Sequence, residues 1–356
     1  MTSDKTRLRY VEAWPAPKSF GTDTLLIYDR FFDGVPSVRK WIAQFPVRYA
    51  VLAGENLKDV RRLPEHLEKI TTLTQDLASR KMKVVVLGGG SVGDFGGFIA
   101  SIFKRGVGLV HIPSTWLSAM DSAHGGKTAL NVAGAKNQVG TFYPASDVYM
   151  IKPLLTKQPA SRNFEALGEL IKMALLTGGT LFSKMNASKN FDANSLWALL
   201  PLVVREKYRI VNEDPLEQSG HRHLLNLGHT IGHVFEAHYR LPHGVAVLAG
   251  TQFALEWSYH RGLMSEKDYL KLMRQPFWQK AVSAKLKSPW KDLNMLALLS
   301  ESPSLFLKYL KQDKKKSAVD HVRFIFVRKP GQPEIQSVHL DEFKAEIARQ
   351  RSGVFA

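Results

Sequence analysis

KVVVLGGGSVGD (residues 83–94) runs an apolar stretch into three consecutive glycines and closes on an aspartate. The spacing Gly88-x-Gly90-x-x-Gly93 is that of a dinucleotide-binding turn. Small residues let the backbone close on a pyrophosphate, and the N-terminus of the following helix favours its charge. A tight turn packed on a neighbouring helix would use the same glycines, so context decides: here a strand pattern precedes the turn and a helical pattern follows it. The usual fingerprint also carries an acid about 20 residues on, at the end of the next strand, to hold a ribose. That strand, GLVHIP (108–113), has none, whereas Asp29 and Glu55 stand at strand ends upstream. The expectation is a nucleotide-binding sheet that departs from an ordinary Rossmann half.

Outward from this turn, TLLIYD (24–29), RYAVLAG (48–54), KVVVLGG (83–89) and GLVHIP (108–113) are nearly continuous apolar runs separated by helical stretches. Such runs suit strands of a mainly parallel sheet buried on both faces. From about Phe164 the apolar period becomes helical, in FEALGELIKMALL, SLWALLPLVVREKYRIV, HLLNLGHTIGHVFEAHY and GVAVLAGTQFALEWSYH. MIKPLLTKQPASRN (150–163), with two prolines and no period, reads as a linker, which predicts an α/β domain over 1–155 and an α-helical domain over 156–356. HVRFIFVRK and PEIQSVHL around Pro330-Gly331 predict a hairpin, and LDEFKAEIARQ a last helix.

With 356 residues the chain exceeds the roughly 250 to 300 at which single cores stop growing. Zero cysteines exclude disulfides and thiolate catalysis, so a metal site must use histidine, carboxylate or water. No apolar run is long enough to span a membrane and the start MTSDKTRLRY is polar, so a cytoplasmic protein with no membrane partner is expected. The net charge of +17 would attract any polyanion or anionic substrate. Its cationic segments (RRLPEHLEK, KLKSPWK, KQDKKK) are dispersed and lack interleaved aromatics, so no nucleic-acid partner is expected.

In HRHLLNLGHTIGHVFE, Arg222, Asn226, His229 and His233 fall at i, i+4, i+7 and i+11, one face if the segment is a single helix. Buried without purpose, four polar groups would cost several unmade hydrogen bonds. Glu169 and Lys172 stand three apart among apolar neighbours, and His243 opens an apolar helix after Pro242. One glutamate and two histidines make a catalytic-zinc set with an open position. Spacing alone leaves the pair open: His229 with His233, or His229 with His243.

With these residues assembled, the chain resembles the 3-dehydroquinate synthases, which are sugar phosphate cyclases, from about Asp29 to Lys316. The likeness rests on GGGSVGDFGGF, KRGVGLVHIPST, MDSAHGGKTALNVAGAKNQVGTFYP, LGELIKMALL and RHLLNLGHTIGHVFE. It implies a Rossmann-like NAD-binding α/β domain, a helical metal-binding domain and a homodimer. The metal, zinc or alternatively cobalt, would be held by Glu169, His229 and His243. NAD would be held by Asp29, Glu55, Lys58, Gly89, Gly90, Ser91, Asp94, Ser114 and Thr115, with Asp121, Lys127 and Lys136 shared with substrate. The catalytic and substrate shell would add Arg105, Asn137, Lys172, Lys207, Arg222, Asn226, His233 and Lys314. So many cations suit a substrate carrying both carboxylate and phosphate.

The implied reaction is that of a phosphate-eliminating carbon–oxygen lyase: 3-deoxy-D-arabino-heptulosonate 7-phosphate becomes 3-dehydroquinate and phosphate, by transient oxidation with NAD, elimination, re-reduction and aldol closure. Sister cyclases that make 2-deoxy-scyllo-inosose or 2-epi-5-epi-valiolone, and polyol dehydrogenases of the glycerol dehydrogenase type, are the alternative readings. The retained Asn137, His233 and Asp313-Lys314 favour the carboxylate-bearing substrate. The chain departs from the family pattern at Lys157-Gln158-Pro159 (commonly Thr-Leu-Pro), at Val245 (usually acidic), at His124 (usually smaller or apolar) and by one residue inserted between Lys207 and Arg222.

Overall fold

The computed structural model describes residues 6–78, 81–188, 190–278 and 320–352. The chain divides into two compact units, Met1–Gln158 and Pro159–Ala356.

The first unit is built on a six-stranded sheet: β1 (Arg7–Val11), β2 (Thr24–Asp29), β3 (Val47–Val51), β4 (Lys83–Gly88), β5 (Gly108–Pro113) and β8 (Asp147–Ile151). The spatial order is β1-β8-β5-β4-β2-β3, with all neighbours parallel. Alternate residues explain why the strands read as unbroken apolar runs. Leu26, Tyr28, Val85, Leu87, Val110 and Ile112 point into a core shared with Val38, Trp41 and Ile42 of α1 (Pro36–Ile42). Leu25, Ile27, Val84, Val86 and Leu109 are equally buried, and the helix α3 (Gly90–Ile102) packs against β2, β4 and β5. Each such side chain contributes roughly 1.5–3 kcal/mol by leaving water.

From β2 the chain steps outward to β3, then crosses back to β4 and onward to β5. The direction of winding therefore reverses between β2 and β4, and ligands of open α/β sheets bind at the carboxyl ends of strands at such a reversal. Asp29 ends β2 and Gly88 ends β4. The unit also contains α2 (Leu63–Leu73), α4 (Lys152–Leu155) and an antiparallel hairpin of β6 (Lys127–Val132) and β7 (Ala135–Phe142).

In the second unit α5 (Ala160–Thr177), α6 (Gly179–Ala187), α7 (Ala193–Glu213), α8 (His229–Tyr239), α9 (His243–His260) and α10 (Glu266–Met273) precede the hairpin β9 (His321–Lys329) and β10 (Gln332–His339) and the helix α11 (Leu340–Arg351). The hairpin turns at Pro330-Gly331 as expected. Phe253 and Trp257 of α9 meet Phe324 of β9 and Phe343 of α11, with Trp257 at centroid separations of 4.9 and 4.7 Å from the last two.

Three expectations are corrected. HRHLLNLGHTIGHVFE is two elements rather than one helix: a 3-10 turn over His221–Asn226, then α8 starting at His229. Gly228 between them has φ +78°, a left-handed conformation that interrupts a right-handed helix, and a methyl group there would lie 2.3 Å from Thr251 Oγ1 and 2.6 Å from the Val247 carbonyl, so only glycine fits against α9. The four polar residues therefore do not share a helix face. The stretch 150–163 is mostly ordered: β8, α4 and the start of α5 leave only 156–159 between elements. Strands β1 and β8 and the hairpin β6–β7 add to the four strands expected.

Candidate functional site

In the second unit, Glu169, His229 and His243 present ligand atoms that all lie within 4.8 Å of one another. Glu169 Oε1 is 3.5 Å from His229 Nε2 and 3.5 Å from His243 Nε2. Glycines create this convergence. A methyl group on Gly168 would lie 1.9 Å from the Gly244 carbonyl oxygen, and one on Gly250 would lie 1.9 Å from that of Gly228. Each ligand thus has a glycine beside it in sequence, where two backbones touch. Glu169 comes from α5, His229 from the start of α8 and His243 from the start of α9.

The outer nitrogens are also engaged, His229 Nδ1 with the Leu227 carbonyl (3.2 Å) and His243 Nδ1 with Glu236 Oε2 (2.9 Å). Both imidazoles therefore turn Nε2 inward, which is how metal-binding histidines are held. Burial lowers His229 to about 3, with nearby Lys172 adding to the fall. Burial lowers His243 too, but hydrogen bonds to Glu169 and Glu236 outweigh it and raise the group to about 10. The two carboxylates around His243 thus call for positive charge. Carboxylate and imidazole donors at tetrahedral reach, outer-shell partners and this charge balance fit a divalent cation of the zinc or cobalt type.

Lys172 pairs with Glu169, and both side chains are 1% exposed. The His233 ring lies 5.4 Å from that of His229 and 6.4 Å from that of His243. Lys207 is buried on α7. Arg222 is buried in the 3-10 turn, where its backbone N–H donates to Asp214 Oδ2 (3.1 Å) and its Nη1 to the Pro215 carbonyl (2.9 Å). Asn226 Nδ2 donates to His223 Nδ1 at 3.0 Å. Val245 is buried in α9. Lys314 lies outside the described residues.

In the first unit the glycine turn opens α3 with Gly89 at its N-cap. Gly90 and Ser91 begin the helix, and the Ser91 hydroxyl accepts from Gly54 N at 3.0 Å. The buried Lys58 amine donates to both Asp94 Oδ2 and Asn137 Oδ1 at 2.5 Å, and burial pushes the Asp94 carboxyl upward against that pair. Glu55 Oε2 accepts from Asn131 Nδ2 at 2.8 Å, and Asn131 Oδ1 accepts from Asn137 N at 2.9 Å. The Asp29 carboxylate accepts from Phe31 N at 3.1 Å. Ser114 N donates to the Gly88 carbonyl (2.9 Å), and Thr115 bonds to Ser118 (3.0 Å).

Asp121 lies on a one-turn π-helix, Ser118–Ser122, and Arg105 follows α3 with φ +68°. Lys127 on β6 and Lys136 on β7 are exposed. His124 is buried, its Nε2 bonded to the Ala119 carbonyl at 2.8 Å. Sequence reasoning missed Glu236 and Asn131. Glu236 carried a signal, seven residues after His229 on the same helix, whereas Asn131 carried none.

Solved structures with this fold include 2-deoxy-scyllo-inosose synthase complexed with carbaglucose-6-phosphate, NAD+ and Co2+ (TM-score 0.78, 22% identity, 96% of this chain and 95% of that one). Another is the 2-epi-5-epi-valiolone synthase ValA from Streptomyces hygroscopicus subsp. jinggangensis 5008 with NAD+ and Zn2+ bound (TM-score 0.76, 19% identity, 98% of each chain). The fold is that of the sugar phosphate cyclases. Residues 48–165 match the model of the 3-dehydroquinate synthase N-terminal domain and residues 166–316 that of the C-terminal domain. The 3-dehydroquinate synthase of Pseudomonas fluorescens (strain Pf0-1) is 32% identical over 321 residues, 88% of this chain and 82% of that protein. The bifunctional shikimate kinase/3-dehydroquinate synthase of Thermotoga maritima is 40% identical over 191 residues, 53% of this chain, which spans only 38% of that longer protein. The chain belongs to the 3-dehydroquinate synthase family.

Proposed function

We infer that the protein is a phosphate-eliminating cyclase that converts 3-deoxy-D-arabino-heptulosonate 7-phosphate to 3-dehydroquinate and phosphate. The observation that carries this reading is the Glu169, His229 and His243 cluster within the matched C-terminal region. Those three residues would hold zinc or cobalt. Asp29, Glu55, Lys58, Gly89, Gly90, Ser91, Asp94, Ser114 and Thr115 would hold NAD, with Asp121, Lys127 and Lys136 reaching both cofactor and substrate. When bound, the metal supplies Lewis-acid polarisation of a substrate oxygen, and NAD supplies a hydride sink and source with no net oxidation.

The chain's own groups do the rest. Arg105, Lys127, Lys136, Asn137, Lys207, Arg222, Asn226 and Lys314 bind the carboxylate, hydroxyls and phosphate, with arginine forks suited to planar anions. Lys172 pairs with Glu169, and His233 moves a proton at its imidazole. Domains 1–155 and 156–356 divide these roles, dinucleotide in the first and metal in the second. The enzyme is proposed to work in the cytoplasm as a homodimer, without nucleic-acid or membrane partners. Among the described residues no helix is long and apolar enough to cross a membrane.

The test is incubation of the protein with NAD, zinc and the heptulosonate phosphate. Equal amounts of phosphate and dehydroquinate with no lasting NADH support the reading. Net NADH without phosphate would favour a polyol dehydrogenase.

A further inference from the structure

We propose that Glu236 is the positioning residue of the metal centre: it holds the His243 ring so that Nε2 faces Glu169. This rests on the metal-site reading above and extends it to a residue that the family likeness assigned no role.

The two histidines are supported unequally. His229 is enclosed, its side chain 12% exposed, and a main-chain carbonyl at 3.2 Å fixes its outer nitrogen. His243 is 36% exposed at the first position of α9, directly after Pro242, so packing restrains its ring less than that of His229. Beside the Glu169 contact at Nε2 (3.5 Å), the closer constraint on it is the carboxylate of Glu236, 2.9 Å from Nδ1. Accepting from Nδ1–H holds a proton on Nδ1, so the neutral ring offers an unprotonated Nε2 of raised basicity, both of which a metal requires.

The support comes from the helix that carries the other histidine. His229 opens α8 and Glu236 lies two turns along it, while α8 packs on α9. One helix thus provides one ligand and aims the second, so the spacing of the two ligands is tied to α8–α9 packing. Glu236 approaches His243 from the nitrogen opposite the one nearest Glu169, which makes it a support and not a fourth ligand.

The experiment is titration of chelator-stripped protein with Co2+ and Zn2+ against a competing chelator, for wild type, Glu236→Ala, Glu236→Gln and His243→Ala. Thermal unfolding of the same metal-free proteins is measured alongside. The expected result is one site in wild type, none in His243→Ala, and an affinity about 10- to 100-fold weaker in Glu236→Ala. Glu236→Gln, whose amide oxygen still accepts from Nδ1–H, should fall between Ala and wild type. The metal-free melting temperature of Glu236→Ala should match wild type, which separates aiming from a general structural role. Wild-type affinity in both Glu236 variants would overturn the inference while leaving the metal site standing. Wild type that binds no metal would overturn the site reading and the inference together. Should Glu236→Ala not fold, wild-type affinity in Glu236→Gln alone counts against the proposal.

Discussion

Gly168 and Gly244 are in direct backbone contact: a methyl group on Gly168 would lie 1.9 Å from the Gly244 carbonyl oxygen. The residues beside them, Glu169 and His243, are two of the three candidate ligands. The α5–α9 approach that glycine permits is therefore the approach that brings the ligands together. Alanine at either position must push the helices apart. A loss of about 1–3 kcal/mol in unfolding free energy is expected from overpacking, with weaker metal binding in step. Denaturant unfolding and metal analysis of Gly168→Ala check this. A stable variant with full metal would mean that the ligand geometry does not depend on this contact.

The ligand set makes its own prediction. Glu169→Ala and His243→Ala should lose metal and activity together, because each removes one of three protein ligands. His233→Ala should keep its metal. Elemental analysis after dialysis decides: full zinc in His243→Ala and none in His233→Ala would assign the i, i+4 pair instead.

These outcomes also mark what the sequence made legible. The strands β2, β4 and β5 were readable because both faces are buried, so the apolar run is unbroken, whereas the edge strand β3 is mostly half-buried with Arg48 exposed. Strand β1, RLRYV, lies at the sheet edge and alternates exposed with half-buried residues, which hides it. Only Met150 and Ile151 of strand β8 fall in the stretch that reads as a linker, and Pro153 two residues after the strand masks its end. The hairpin β6–β7 is mostly exposed on its second strand, so burial leaves no pattern there. The break at Gly228 was not legible because a glycine within an apolar helical period does not disclose its left-handed φ, and its close fit against α9 is tertiary. The candidate ligands were legible by residue type, their pairing only through the family likeness.

Asp214 anchors the loop that carries Arg222, accepting from Gln218 N (2.7 Å), Ser219 N (3.1 Å) and Arg222 N (3.1 Å). Burial raises its carboxyl, but those backbone donors outweigh it and bring the group from 3.8 down to about 2. A depressed carboxylate stabilises the fold above its unfolded value and loses that contribution as pH falls through the folded one. The stability gap between wild type and Asp214→Asn should be full at about pH 5 and close toward about pH 2. Urea midpoints across that range check it, and a gap independent of pH would contradict it.

Lys58 ties the helix of the glycine turn to the β6–β7 hairpin through Asp94 and Asn137. Lys58→Met keeps the apolar stem and removes the charge, leaving Asp94 without its partner. A loss of about 1–3 kcal/mol is expected, together with weaker NAD binding. Calorimetric titration with NAD and denaturant unfolding read the two effects. Unchanged NAD affinity in a destabilised variant would make Lys58 a structural residue only.

Substrate choice tests the account most directly. Asn137 and His233, both proposed to contact substrate, are short-reach hydrogen-bonding groups, and recognition through such bonds rejects analogues that leave the groups unpaired by roughly 100-fold or more. With NAD and zinc present, phosphate release is followed for the heptulosonate 7-phosphate, sedoheptulose 7-phosphate and glucose 6-phosphate. The prediction is fast release from the first, with dehydroquinate as product, and release from the other two slower by at least about two orders of magnitude. Comparable or faster turnover of either substrate lacking the carboxylate would contradict the dehydroquinate assignment.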